Sequence, residues 1–149
     1  MILIMKILAQ NRKARYNYEI LEEFEAGIIL KGSEIKSLRA GKVSIGDSYV
    51  SDKKNGLFLT NANIATFAGA NQFNHDPLRE RQLLLHKKQI AKLLGKARIK
   101  SLTIIPLSIY LNHRNYAKVK IALVKGKKLY DKRESIKKRE EERKLNRLK

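Results

Sequence analysis

YNYEILEEFEAGIILKGSEIKSLRAG, the run from Tyr16 to Gly41, decides how the rest of the chain is read. Its even positions carry Tyr16, Tyr18, Ile20, Phe24, Ala26, Ile28 and Leu30, and its odd positions Asn17, Glu19, Glu23, Glu25 and Lys31. Alternation with a period of two is the pattern of a strand with one buried face. Glu22 interrupts the apolar row, which predicts a bulge. Burying each large apolar side chain contributes about 1.5 to 3 kcal/mol, so a one-residue slip that turned this row to water would cost more than the strand could recover, and register is firmly set. Gly32-Ser33 ends the strand, Ser33 is placed to cap a helix start, Ile35 and Leu38 share a helix face, and Gly41 stands where a left-handed C-terminal residue is usual. A helix of about seven to nine residues is predicted there.

Downstream, Ser48–Asp52 and Leu57–Ile64 flank Asn55-Gly56, a dipeptide that tolerates the positive φ angles of a tight turn, and so form a strand pair. Residues 65–75 hold Ala, Gly, Asn and Gln with Phe67 and Phe73, neither periodic nor charged, and read as an ordered or mobile surface loop. Asp76-Pro77 predicts a helix opening, with helical character to Gly95 as one helix or two. Leu78 and Leu85 lie on one row, Ile90, Leu93 and Leu94 on another, and Arg79, Arg81, Lys87, Lys88 and Lys92 face out. Leu102 and Ile104, then Leu107, Ile109 and Leu111, alternate but change parity across Ile105-Pro106, which indicates a strand with a bulge or bend. Asn112–Asn115 turns the chain back, and Ala117, Val119, Ile121 and Leu123 then face inward while Lys118 and Lys120 present a basic outer face. The fold class is mainly β with short helices, an antiparallel barrel closed or nearly closed.

Upstream, MILIMKILA is apolar but is interrupted by Lys6 and lacks the sustained span of a signal or membrane segment. Residues 1–10 are expected to be a frayed or loosely docked leader, with Met1 or Met5 as the start. Residues 11–124 are expected to form the body, with 125–149 a tail. In that tail twelve Lys or Arg stand against five Asp or Glu, a net +7, and only Leu129, Tyr130, Ile136, Leu145 and Leu148 could be buried. Glu134 with Lys138 and Glu140 with Lys144 support a helix by about 0.2 to 0.5 kcal/mol each, too little for an isolated helix. The tail is therefore expected to be disordered until a polyanion binds it.

The formal net charge of +19 on 149 residues gives a positive potential that attracts polyanions, nucleic acid foremost. An anionic membrane would need an amphipathic helix with a broad apolar face, and none is evident. Cysteine is absent, which excludes disulfides, thiolate nucleophiles and Cys-based zinc sites. His75, His86 and His113 are scattered without metal-ligand spacing, and Gly27–Ser33 lacks the Lys a phosphate loop requires. No enzyme chemistry, cofactor or metal is expected. Asn11, Arg12, Lys13 and Arg15 form a loop suited to phosphate contact. Glu19, Glu23 and Glu25, alternate on one strand, read as a solvated stripe that steers partners or accepts hydrogen bonds from base or ribose donors.

The run EEFEAGIILKGSEIKSLRAG, the GDSYV at Gly46–Val50, Asn11–Arg15, His75-Asp76-Pro77, Leu83-Leu84-Leu85, Lys118–Ile121 and Gly126-Lys127-Lys128 together resemble the small protein B, or SsrA-binding, family of bacteria. That resemblance covers nearly the whole chain. It implies an oligonucleotide-binding-type barrel that grips the tRNA-like domain of transfer-messenger RNA, works with elongation factor Tu, and enters stalled ribosomes as a cytoplasmic monomer. Asn11, Glu25 and Leu84 match the family's RNA-contact positions, and His86 stands where the family commonly has Asn. In the tail, Gly126, Lys127, Lys128, Tyr130, Asp131, Lys132, Arg133, Ile136 and Lys137 are implied to meet ribosomal RNA in the small-subunit decoding centre, Tyr130 being the ring before Asp-Lys-Arg. Two other readings stand beside this one. A general single-strand RNA chaperone or ribosome-associated basic protein would need aromatic platforms on a barrel face, and an enzyme acting on RNA would need a catalytic constellation.

Overall fold

In chain order the elements are β1 (Lys6–Gln10), α1 (Ala14–Asn17), β2 (Tyr18–Ile28), α2 (Gly32–Arg39), β3 (Val43–Ser44), β4 (Tyr49–Lys53), β5 (Gly56–Thr60), β6 (Asn63–Ile64), a 3-10 turn (Ala68–Phe73), β7 (Arg81–Leu84), α3 (Lys87–Lys100), β8 (Thr103–Leu111), β9 (Ala117–Gly126) and α4 (Leu129–Arg147). They are taken from a computed structural model that describes residues 6–53, 56–100, 102–127 and 129–147, and within these all side chains but those of 71–73, 99–100, 129–132 and 134–135. Asn55, the start at Met1 or Met5, and Leu148 lie outside the described residues.

One antiparallel sheet has the order β1-β8-β9-β2-β7-β5-β4. It rolls until β4 touches β8 without a ladder between them, so the barrel is open, with β1 and β4 as its edges. Leu57, Leu59, Leu83, Ile109, Val119, Ile121 and Leu123 fill the interior, and Leu93 of α3 reaches the same core.

The bulge expected near Glu22 is present: Ile20 pairs with Val124 and Glu22 with Leu123, leaving Leu21 as the extra residue. It also changes which face the even row meets. Tyr18 and Ile20 pack with Ala14, Ile105, Ala122 and Val124 on the outer face, whereas Phe24, Ala26 and Ile28 enter the interior. Glu19, opposite Lys125, is thereby parted from Glu23 and Glu25, which lie opposite Ala122 and Lys120, so the three carboxylates do not form one stripe. A second bulge leaves Leu107 unpaired between Pro106 and Ser108, beside the predicted bend.

Four expectations need correction. The leader is part of the sheet from Lys6 onward, because β1 pairs with β8 and Leu8 and Ala9 pack on the core. The body also runs past residue 124, since Lys125 and Gly126 pair with Glu19 and Tyr18. Asp76-Pro77 opens only a turn, Asp76 accepting the N–H groups of Leu78 and Arg79. Residues 81–84 are a strand between β2 and β5, with Arg81 and Leu83 buried, and the helix begins at Lys87. Ser33 does not cap α2; the Glu34 carboxylate accepts the Lys31 N–H at 2.7 Å instead, while Gly41 has the expected positive φ of 75°.

The tail expected to be disordered until bound is helical over Leu129–Arg147 in the structure. It meets the body at α1, where Arg139 lies 4.6 Å from the centre of the Tyr16 ring. Ile136 and Leu145 remain exposed, so packing adds little to the helix's own small stability.

Candidate nucleic-acid interface

Alternation along β9 puts Lys118 and Lys120 on the outer face of the sheet, and the β2 register sets Gly27 opposite Lys118 and Glu25 opposite Lys120. An open cleft of about 490 Å³ gathers Glu25, Gly27, Leu84, Leu85, His86, Gln89 and Lys118. Gly27 lets β7 approach closely: a Cβ there would lie 3.3 Å from the Leu84 Cβ, tighter than ordinary packing. Leu84 is thereby presented at the surface, half exposed. His86 sits at the start of α3, its carbonyl accepting the N–H groups of Gln89 and Ile90 and its own N–H donating to the Gln89 side chain, which leaves the imidazole exposed. The Glu25 carboxylate accepts a hydrogen bond from the Tyr110 hydroxyl. Burial, and then that carboxylate, push the Tyr110 pKa well above the usual tyrosine range, so it remains a donor.

A second cleft, about 360 Å³, adjoins the first across the Glu25–Lys120 pair and holds Asn11, Arg12, Arg15, Glu23 and Lys120. Asn11 is half-buried. Its N–H donates to the Leu107 carbonyl at 2.8 Å and its side-chain amide to the Pro106 carbonyl at 3.2 Å, so it fastens the end of β1 to the β8 bulge. Arg15 and Lys120 flank Glu23 at 3.8 and 3.9 Å, solvent-exposed pairs that anionic ligands can readily outcompete. Arg12 and Lys13 are exposed, and Lys13 lies on the turn that starts α1. The nine residues expected to meet RNA therefore divide into four at each cleft, with Lys13 alongside.

None of the described tail residues lines either cleft. Gly126 is exposed, and Lys127 is tied to α1, its N–H donating to the Asn17 carbonyl and its Nζ to that of Arg15. Arg133, Ile136 and Lys137 are exposed on α4. Lys128 and the side chains of Tyr130, Asp131 and Lys132 lie outside the described residues.

Two features were not foreseen. Nothing local in the sequence marks the bond from Tyr110 to a glutamate 85 positions away. Arg81, expected on the surface, is fully buried against Glu34, which Arg79 also grips at 2.6 Å; Arg81 donates further to the carbonyls of Ala62 and Pro77. Burial pushes the Glu34 pKa up, but the two guanidiniums and the Lys31 N–H outweigh it and hold the carboxyl below its usual range. Nearby, His75 donates from Nε2 to the Ile64 carbonyl and accepts the Ser33 hydroxyl at Nδ1, both at 2.8 Å. These buried groups fasten the 61–81 segment to α2 and do not open onto either cleft. Among the described residues no three His, Asp or Glu gather as a metal site, and no helix is long and apolar enough to cross a membrane.

A rolled antiparallel sheet with a mixed-charge cleft beside a cationic one on its outer face and a basic helical tail defines a class, the small polyanion-binding barrel proteins. Within it, the chain belongs to the SmpB family, whose model, described as SmpB protein, matches residues 8–149. It is 58% identical over 144 residues to the SsrA-binding protein of Wolbachia pipientis subsp. Culex pipiens (strain wPip), covering 97% of each chain. To the SsrA-binding protein of Rickettsia canadensis (strain McKiel) it is 54% identical over 143 residues, 96% of this chain and 94% of the relative. A solved structure described as "tmRNA-SmpB: a journey to the center of the bacterial ribosome" superposes with a TM-score of 0.68 at 47% identity, over 90% of this chain and 94% of that one.

Proposed function

We propose that this chain binds the tRNA-like domain of transfer-messenger RNA and carries it to stalled ribosomes for trans-translation. What supports this most is the meeting of Glu25, Leu84, His86 and Lys118 in one cleft beside Asn11, Arg12, Arg15 and Lys120 in the next, in a family whose members include SsrA-binding proteins. In this reading Arg12, Lys13, Arg15, Lys118 and Lys120 neutralise phosphates and set the orientation of the RNA. Glu25, held by Tyr110, accepts hydrogen bonds from base or ribose donors, Leu84 gives an apolar contact, and His86 supplies a ring N–H.

The tail, Gly126 to Lys128, Tyr130 to Arg133, Ile136 and Lys137, follows ribosomal RNA into the small-subunit decoding centre, with Tyr130 stacking on a base. The protein works as a cytoplasmic monomer beside elongation factor Tu and performs no chemistry of its own. Binding of the tRNA-like RNA measured across salt concentrations tests the reading: log K should fall against log salt with a slope of about −3 to −5, as expected for four to six neutralised phosphates. A flat response removes the phosphate contacts on which it rests.

A further inference from the structure

A groove of about 620 Å³ runs between the C-terminal half of α2 and the β8–β9 turn and shares Gly27, Leu84 and Lys118 with the first cleft. Leu38 and Leu111 are buried at its floor, whereas its walls expose large apolar groups: Ile29 is 47%, Leu84 51% and Tyr116 63% accessible. These three side chains give a ligand's flat apolar face something to cover.

Its charge is of one sign. Arg39, Arg114 and Lys118 line it, no carboxylate does, and none of the three has an ion-pair partner among the described residues. Tyr116 is held on a fixed backbone: Asn112 Oδ1 accepts the N–H groups of Arg114 at 3.0 Å and Tyr116 at 2.9 Å, and the Tyr116 carbonyl accepts the Asn112 N–H at 2.9 Å. The turn thus presents an exposed ring on an ordered backbone beside apolar walls and unpaired cations. An anionic ligand with a flat apolar face fits this chemistry, and the groove continues the surface assigned above to RNA.

We propose that the groove holds one unpaired nucleotide of the bound RNA, its base against Tyr116 and the Ile29–Leu84 wall, its phosphates on Arg39 and Arg114. The proposal rests on the function given above and adds a base-holding subsite to it.

The test measures binding of the tRNA-like domain, intact or with an abasic site at each unpaired position in turn, to the wild type, Tyr116→Ala and Tyr116→Phe at one salt concentration. Because Tyr116 is exposed, both variants should melt with the wild type. One abasic position should weaken wild-type and Tyr116→Phe binding by about tenfold. Tyr116→Ala should bind intact RNA about tenfold more weakly and lose nothing further at that position. Wild-type affinity for Tyr116→Ala, or an abasic penalty undiminished in Tyr116→Ala, overturns the subsite while leaving the function standing. A wild type that does not prefer the tRNA-like RNA over an unstructured RNA of equal length brings down both.

Discussion

The hydroxyl of Tyr110, on a residue 4% accessible in β8, donates to the carboxylate of Glu25, an exposed residue of β2. A surface glutamate ordinarily samples many rotamers; this one is held at the edge of its cleft by a hydroxyl on a buried side chain. Tyr110→Phe should cost the fold only about 0.5 to 1.5 kcal/mol and weaken RNA binding by less than Glu25→Ala does, since it frees the carboxylate without removing it. Chemical denaturation and RNA titration of both variants measure this. Equal affinity of Tyr110→Phe and wild type would mean that the fixed orientation is immaterial.

The same bond makes a pH prediction. Tyr110 has a folded-state pKa raised above the ordinary value of 10, so its contribution to stability is complete below pH 10 and is lost as pH rises through the higher folded value. Alkaline titration by tyrosinate absorbance should show one ring resisting ionisation after exposed tyrosines have ionised. In Glu25→Ala that ring should titrate earlier.

Glu34 behaves in the opposite sense. Its carboxyl is held below the ordinary 4.5, so its contribution is complete above pH 4.5 and drains away as pH falls through the lower folded value. Glu34→Ala strands the buried Arg81 and should destabilise by about 3 to 5 kcal/mol at neutral pH. Urea midpoints between pH 3 and 7, values chosen to bracket the ordinary carboxylate range, should fall with acid in the wild type and be flatter in Glu34→Gln. Parallel curves would remove Glu34 from the acid response.

Asn11 and Arg12, adjacent in sequence, should separate structure from binding. Asn11→Ala loses the bond to Pro106 and should cost about 1 kcal/mol of stability along with some RNA affinity. Arg12→Ala, on an exposed side chain, should leave melting unchanged and make the salt slope shallower by about 0.7 to 0.9. Unchanged melting of Asn11→Ala would show that its amide bond contributes nothing.

The tail should divide binding from rescue. Because β9 extends to Gly126 and Lys127 is tied to α1, the cut belongs after Lys127. That truncation should melt like the full chain and hold the tRNA-like RNA with modest loss, yet fail to support tagging on stalled ribosomes. The isolated tail should show little helix by circular dichroism in dilute buffer and gain it with polyanion. Full tagging with Tyr130–Arg133 scrambled would reduce the tail to a charge tether.

Much of the architecture was legible because burial on one side writes a period of two into the sequence: β2, its bulge at Glu22, β8 with its bend near Pro106, and the outward Lys118 and Lys120 were all readable in this way. Residues 76–86 were not. Asp76-Pro77 and the Leu78–Leu85 spacing imitate a helix, while β7 is four residues long and hides its alternation behind a buried arginine whose partner, Glu34, lies 47 positions away. Ladders to β2 and β5 hold that strand, and no local pattern encodes them. The clefts were legible in unequal ways. Charge marked Arg12, Lys13, Arg15, Lys118 and Lys120, family resemblance marked Asn11, Glu25, Leu84 and His86, and neither could mark Tyr110 or Tyr116, whose surroundings are set by where the sheet and turn hold them.

Competition between the tRNA-like domain and an unstructured RNA of equal length at physiological salt, run with wild type and Glu25→Ala, is the most direct test of the central claim. The wild type should prefer the tRNA-like RNA. Glu25→Ala should lose about 1 to 3 kcal/mol of that preference while binding unstructured RNA as well as before or better, because a negative charge has left a phosphate-facing surface. Equal competition by the two RNAs, or a Glu25→Ala protein that binds both more tightly, would contradict shape-specific recognition through this cleft.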